Sequence, residues 1–101
     1  MTTAVKTKQE IINDINTYMT NSKYYSDWYI GIAKNARERL FNDHNVQEKG
    51  DLWIYSSTNS ATIAREIENF FLAKGCKGGN GGGDNTTVYV YAYKITSTTR
   101  Q

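Results

Sequence analysis

The stretch Trp28-Tyr29-Ile30-Gly31-Ile32-Ala33 decides how this chain is read. Large aromatic and β-branched residues follow a Ser26-Asp27 turn signal, and that pattern predicts a strand. Alternation puts Trp28, Ile30 and Ile32 on one face and Tyr29, Gly31 and Ala33 on the other. The second face offers one phenol and then almost no side chain. A glycine inside a strand weakens it, and often marks a place where another backbone or a ligand comes close.

Outward from this strand, helical and extended patterns alternate. Upstream, Ile11, Ile12, Ile15, Tyr18 and Met19 recur at helical spacing. Thr7 and Glu10 have the spacing of a capping box at the start of that helix. Downstream, residues 35–42 read as a short helix capped by Asn35, with Ala36, Leu40 and Phe41 as its apolar edge. Residues 51–57 read as a second strand. Residues 61–74 form the clearest helix, with Ile63, Ile67, Phe70 and Phe71 along one stripe and Gly75 just past its end. The glycine run at 75–85 reads as a flexible connection. It is no phosphate-binding loop, because no Lys-Ser/Thr follows it and no helix opens from it. Residues 88–95 read as the closing strand, with Tyr89, Tyr91 and Tyr93 on one face, and residues 96–101 as a frayed tail. The expected fold is α+β: a small three-stranded, mainly antiparallel sheet flanked by helices.

Composition sets the bounds. The 101 residues make one domain, 1–101, with 39% hydrophobic and 22% charged residues. The single cysteine excludes an internal disulfide. Cys76 and His44 are the only soft ligands, which excludes a structural zinc site. No apolar run approaches the ~20 residues of a membrane span. Residues 1–6 lack the apolar stretch of a signal peptide, so a cytoplasmic location and no membrane partner are expected. Twelve Lys+Arg against ten Asp+Glu give +2, too weak a bias to argue for nucleic acid alone.

The segment Tyr29-Ile30-Gly31-Ile32-Ala33-Lys34-Asn35-Ala36-Arg37-Glu38-Arg39-Leu40 resembles the second half of the GIY-YIG nuclease signature. In that family a strand bearing the tripeptide runs into a short loop and a helix, and an arginine follows the tyrosine by ten residues, where Arg39 stands. The family then carries a metal-binding glutamate on a helix. Ala64-Arg65-Glu66-Ile67-Glu68-Asn69-Phe70-Phe71 is similar to that helix, with Glu68 the best match. Asn80, in the glycine run, matches the family's loop asparagine. The resemblance covers about half the chain, from Trp28 to Asn80.

Two features depart from the family pattern. The first tripeptide, Gly-Ile-Tyr, is absent; upstream stands Asn16-Thr17-Tyr18, of which only the tyrosine matches. Either residues 15–20 are a strand, or that strand is lost, or the C-terminal strand takes its place and supplies Tyr89, Tyr91 or Tyr93. The family's His or Tyr falls four residues after the arginine, where this chain has Asp43. His44 is one position late, a ~100° rotation on a helix. It reaches the site only if the helix ends before it.

The resemblance implies a metal-dependent endonuclease acting on DNA, or a catalytically weakened relative. Glu68 would hold Mg²⁺ or Mn²⁺, with water filling most of the shell. Arg39 would contact phosphate with its planar fork. Tyr29, Tyr18 and His44 would serve at the reacting centre, on the space left by Gly31. Lys34 and Asn80 would bind substrate. A tyrosine needs help from Arg39, Lys34 or the metal to act as a base near neutrality. Each residue also has a plain reading: a packed aromatic, a solvated charge, a loop histidine. The alternative function is a non-catalytic module that binds nucleic acid or a protein. The two part on geometry, since Tyr29, Arg39 and Glu68 must line one surface for the nuclease reading to hold.

Overall fold

The computed structural model describes residues 6–20, 22–79 and 85–101. The chain runs α1 (Lys8–Met19), a 3₁₀ turn (Tyr25–Asp27), β1 (Trp28–Ala33), α2 (Ala36–Glu38), a π-helical turn (Arg39–Asp43), β2 (Trp53–Ser57), α3 (Ala61–Lys74) and β3 (Tyr89–Lys94). The three strands form one antiparallel sheet in the order β1-β3-β2. The C-terminal strand is therefore central.

Local chemistry explains the boundaries. The Thr7 hydroxyl accepts from the Glu10 N–H at 3.2 Å, and the Glu10 carboxylate accepts from the Thr7 N–H at 2.8 Å. Two of the four orphan donors at the start of α1 are satisfied in this way. Ser60 caps α3 by accepting from the Ile63 N–H. Gly75 ends α3 at φ 115°, and the Cys76 N–H reaches back to the Phe71 carbonyl at 3.1 Å. Only glycine takes that left-handed position without strain.

Alternation along β1 and β3 divides the interior into two layers. Trp28, Ile30, Ile32, Val90 and Ala92 face α1 and α3, where they meet Ile11, Ile15, Ile67 and Phe71. Burying each such side chain contributes about 1.5–3 kcal/mol. The opposite face carries Tyr29, Ala33, Tyr91 and Tyr93, covered by Ala36, Leu40 and Val46 from the α2 region. Both faces of the sheet are thus covered, more than the one packed face that a three-stranded sheet needs for independent stability.

Three local expectations change. Residues 96–101 are docked rather than frayed: the Arg100 N–H donates to the His44 carbonyl at 2.7 Å, and the Asn45 side chain donates to the Thr98 carbonyl at 3.0 Å. The start of the glycine run is also placed. Lys77 pairs with the edge of β1 through Ile30 N–H to Lys77 O and Lys77 N–H to Trp28 O, both 2.8 Å. A Cβ on Gly78 would sit 2.5 Å from Leu72 and 3.1 Å from the Ile30 carbonyl, so close packing explains that glycine. The helix expected over residues 35–42 divides into a short α-helical turn and a π-helical one.

Candidate functional site

Gly31 makes the site possible. It stands opposite Tyr91 in the β1–β3 register. A Cβ at Gly31 would lie 2.5 Å from both Cζ and Oη of Tyr91. The missing side chain lets the Tyr91 ring lie across β1, so what comes close is a neighbouring phenol. The Tyr91 hydroxyl then reaches His44 Nε2 at 2.7 Å.

His44 arrives through the π-helical turn. Its N–H donates to the Arg39 carbonyl at 2.9 Å, an i to i−5 bond. One extra residue is accommodated between Arg39 and His44, and the turn ends at Asp43, so the helix stops before His44, as its late position requires. Asn45 follows at φ 57°, a left-handed conformation that asparagine tolerates. The imidazole is buried among three phenols. Its ring centre is 4.7 Å from Tyr29, 5.5 Å from Tyr91 and 4.9 Å from Tyr93. Tyr29 and Tyr93 stack on each other at 5.2 Å.

Arg39 and Glu68 stand on different elements, the π-helical turn and α3. The charges of both act on Tyr29 and on Tyr91. Arg39 is exposed at the start of the π-helical turn and paired to Asp43 at 3.1 Å. Glu68 is 4% exposed, although it sits on a helix whose neighbouring Glu66 is solvent-facing. Tyr29, Gly31 and His44, named from the sequence, are therefore brought together; Arg39 begins the turn that leads to His44, and Glu68 lies on α3, whose apolar residues pack on the other face of the sheet. Tyr91 joins them, and it was left open among the three C-terminal tyrosines.

Burial sets the electrostatics. It pushes the Tyr29, Tyr91 and Tyr93 phenols above their ordinary value of 10. Arg39 pulls Tyr29 and Tyr91 back without reversing the shift, and the Gly79 N–H, bonded to the Tyr29 oxygen, acts in the same sense. Burial also holds His44 below 6.5; Arg39 adds to that, while the Arg100 carbonyl and Asp43 oppose it. His44 is thus a neutral imidazole at pH 7, and the phenols keep their protons. Burial raises the Glu68 carboxyl, with partial relief from Arg65.

The fit of a divalent cation turns on that carboxylate. Its charge is desolvated, and a cation would offset the penalty. Among the described residues no three His, Cys, Asp or Glu side chains gather. Mg²⁺ is commonly bound through one or two carboxylates plus water and substrate phosphate, so a lone Glu68 fits that mode and does not fit a protein cage.

Other expected residues lie elsewhere. Tyr18 is not at the site. Residues 15–19 are helical, and Tyr18 packs edge-on against Trp28 on the other face of the sheet, its oxygen accepting from the Trp53 N–H. Of the three arrangements weighed for the absent tripeptide, the C-terminal strand is the one beside β1. Lys34 lines a groove of ≈ 200 Å³ with Asn35, Arg37, Tyr55 and Tyr89. Asn80 falls outside the described residues. Cys76 is buried, and that burial pushes its thiol up to about 11, away from the thiolate form. A cleft of ≈ 450 Å³ opens beside Tyr29, bounded by Ser26, Asp27, Lys77, Gly78, Gly79 and Gln101. No helix among the described residues is long and apolar enough to cross a membrane.

Comparison with known proteins finds no matching family model, no matching curated protein and no matching solved structure.

Proposed function

We propose that this domain is a metal-dependent nuclease of the GIY-YIG kind, hydrolysing DNA phosphodiester bonds, with its C-terminal strand supplying the tyrosine that the absent first tripeptide would carry. The convergence of Tyr29, Tyr91 and His44 from three separate elements, with the charges of Arg39 and Glu68 acting on both phenols, supports this reading above all. A sheet needs no buried histidine, glutamate and three phenols for packing. Such groups carry a desolvation cost that a purely structural core avoids.

In this reading each residue has a task that its environment suits. Neutral His44 accepts at Nε2 the proton of Tyr91, while Tyr91 Oη takes a proton from the attacking water. The water becomes the nucleophile at phosphorus, and the phosphorus–oxygen bond opposite it breaks. Arg39 places its planar guanidinium against the phosphate oxygens, where charge accumulates. Tyr29, at the cleft, donates its hydroxyl to the phosphate and sets the substrate's position. Glu68 would hold Mg²⁺ or Mn²⁺, which supplies Lewis-acid stabilisation of the phosphate and leaving oxygen. One carboxylate suits a single ion; a two-metal site would need more.

The test is cleavage of plasmid and branched DNA with Mg²⁺ or Mn²⁺, by the native chain and by Glu68→Ala. Expected is metal-dependent nicking that Glu68→Ala abolishes. Equal rates in the two proteins sink the assignment. DNA binding without cleavage supports the non-catalytic module instead.

A further inference from the structure

We propose that the backbone carbonyl of Arg100 is a positioning group: it fixes the tautomer of His44 and so turns Nε2 into the acceptor that faces Tyr91. His44 Nδ1 lies 2.6 Å from the Arg100 carbonyl oxygen. A carbonyl can only accept, so Nδ1 must carry the ring proton. A neutral imidazole has one such proton, which leaves a lone pair on Nε2. The Tyr91 hydroxyl at 2.7 Å is therefore the donor in that bond. Reversing the tautomer would set a lone pair against the carbonyl and an N–H against Tyr91, removing the proton-accepting direction.

The carbonyl is held for this task from several sides. The Arg100 N–H donates to the His44 carbonyl, so the two residues are bonded both ways. Asn45, next in the chain to His44, donates to the Thr98 carbonyl. The Tyr93 hydroxyl reaches the same Arg100 carbonyl at 3.2 Å, Nδ1 at 3.1 Å and the Gln101 side chain at 3.0 Å. The Thr96 N–H is held by the Thr99 hydroxyl at 3.0 Å, which turns the segment back toward His44. A backbone carbonyl cannot titrate, so it holds one tautomer over a wide pH range. Any catalytic meaning of this device rests on the nuclease reading above; the tautomer itself does not.

His44 is the chain's one histidine, so imidazole nitrogen NMR of histidine-labelled protein reads it without assignment. In the full chain at pH 7.5 the directly bonded proton is expected on Nδ1 alone. Truncation after Thr99 should lose that exclusive signal and admit the Nε2–H form. Tyr91→Phe, with the Arg100 carbonyl in place, should keep Nδ1–H. A proton on Nε2 in the full chain overturns the proposal. So does an unchanged tautomer after truncation, or a switch in Tyr91→Phe, which would make Tyr91 the determinant. Should the truncated chain not fold, the full chain and Tyr91→Phe still decide. Because the readout needs no DNA and no metal, its failure is separate from failure of the nuclease reading.

Discussion

The Tyr91 hydroxyl lies 2.7 Å from His44 Nε2, and it gets there by crossing the space that Gly31 leaves open. Strand, glycine and π-helical turn each contribute one part of that contact. A change to any of them should be felt at the other two.

Gly31→Ala is the sharpest structural probe. The added methyl would stand 2.5 Å from the far end of a ring that is 1% exposed. A rigid, enclosed ring cannot swing aside cheaply. Overpacking of this kind typically costs about 1–3 kcal/mol. Chemical denaturation should show a loss in that range, together with a displaced His44 signal. A change within about 0.5 kcal/mol would mean that Tyr91 does not lie across β1.

Glu68→Gln should stabilise the protein at neutral pH. Burial raises the folded-state pKa of Glu68 above its ordinary 4.5. Its contribution to stability is therefore complete below 4.5 and lost as pH rises through the folded value. At pH 7 the buried charge is a cost, and its removal should gain about 1 kcal/mol, the size common for a single stabilising substitution. The gain should shrink as pH falls toward 4.5. A destabilised Glu68→Gln at pH 7 would assign the carboxylate a structural ion-pairing role.

Much of this arrangement was legible in the sequence, for identifiable reasons. The two-residue period grouped Tyr29 with Gly31 along β1, and Tyr89, Tyr91 and Tyr93 along β3, and the register sets the two groups on the same face of the sheet. The Thr7–Glu10 box and Gly75 fixed helix ends through purely local hydrogen bonding. The spacing of Tyr29 and Arg39 held because β1 passes into α2 without a long loop. What stayed hidden was non-local. A π-helical turn has no simple sequence pattern, so His44 looked one residue late. Tyr18 had the residue type expected at the site, but its helical register took it to the opposite layer. The docking of the tail depends on His44 with Arg100, 56 residues apart, and on Asn45 with Thr98, 53 residues apart. Composition alone marked that tail as loose.

His44 gives a pH dependence of opposite sign to that of Glu68. Its folded-state pKa is below 6.5, chiefly through burial among Tyr29, Tyr91 and Tyr93, with Arg39 adding and Asp43 and the Arg100 carbonyl opposing. Below 6.5 the unfolded chain takes up the proton more readily than the native one. Stability should therefore decline as pH falls from 6.5 toward the folded value. Thermal midpoints between pH 5 and 8, compared with His44→Gln, isolate this contribution. A native chain that loses no more than the variant on acidification would contradict a buried neutral imidazole.

Cys76 should be unreactive in the folded state. Its thiol is buried, contacts Met19 Sδ at 3.8 Å and is pushed up to about 11. Thiolate is the reacting form, so labelling at pH 8 should be at least about 100-fold slower than in denaturant. Rapid labelling of the native chain would show that the contact between α1 and the start of the glycine run opens easily.

The central claim is that Tyr91 and His44 form a proton-accepting pair for phosphodiester hydrolysis. Tyr91→Phe keeps the ring that fills the space over Gly31 and removes only the hydroxyl. The deciding measurement is the single-turnover cleavage rate of metal-loaded protein on plasmid DNA, native against Tyr91→Phe, with DNA affinity measured in parallel. Expected is a fall of about 10²–10⁴-fold in rate with affinity unchanged. Cleavage by Tyr91→Phe at the native rate would contradict the claim, and so would a native chain that cleaves no DNA with either Mg²⁺ or Mn²⁺.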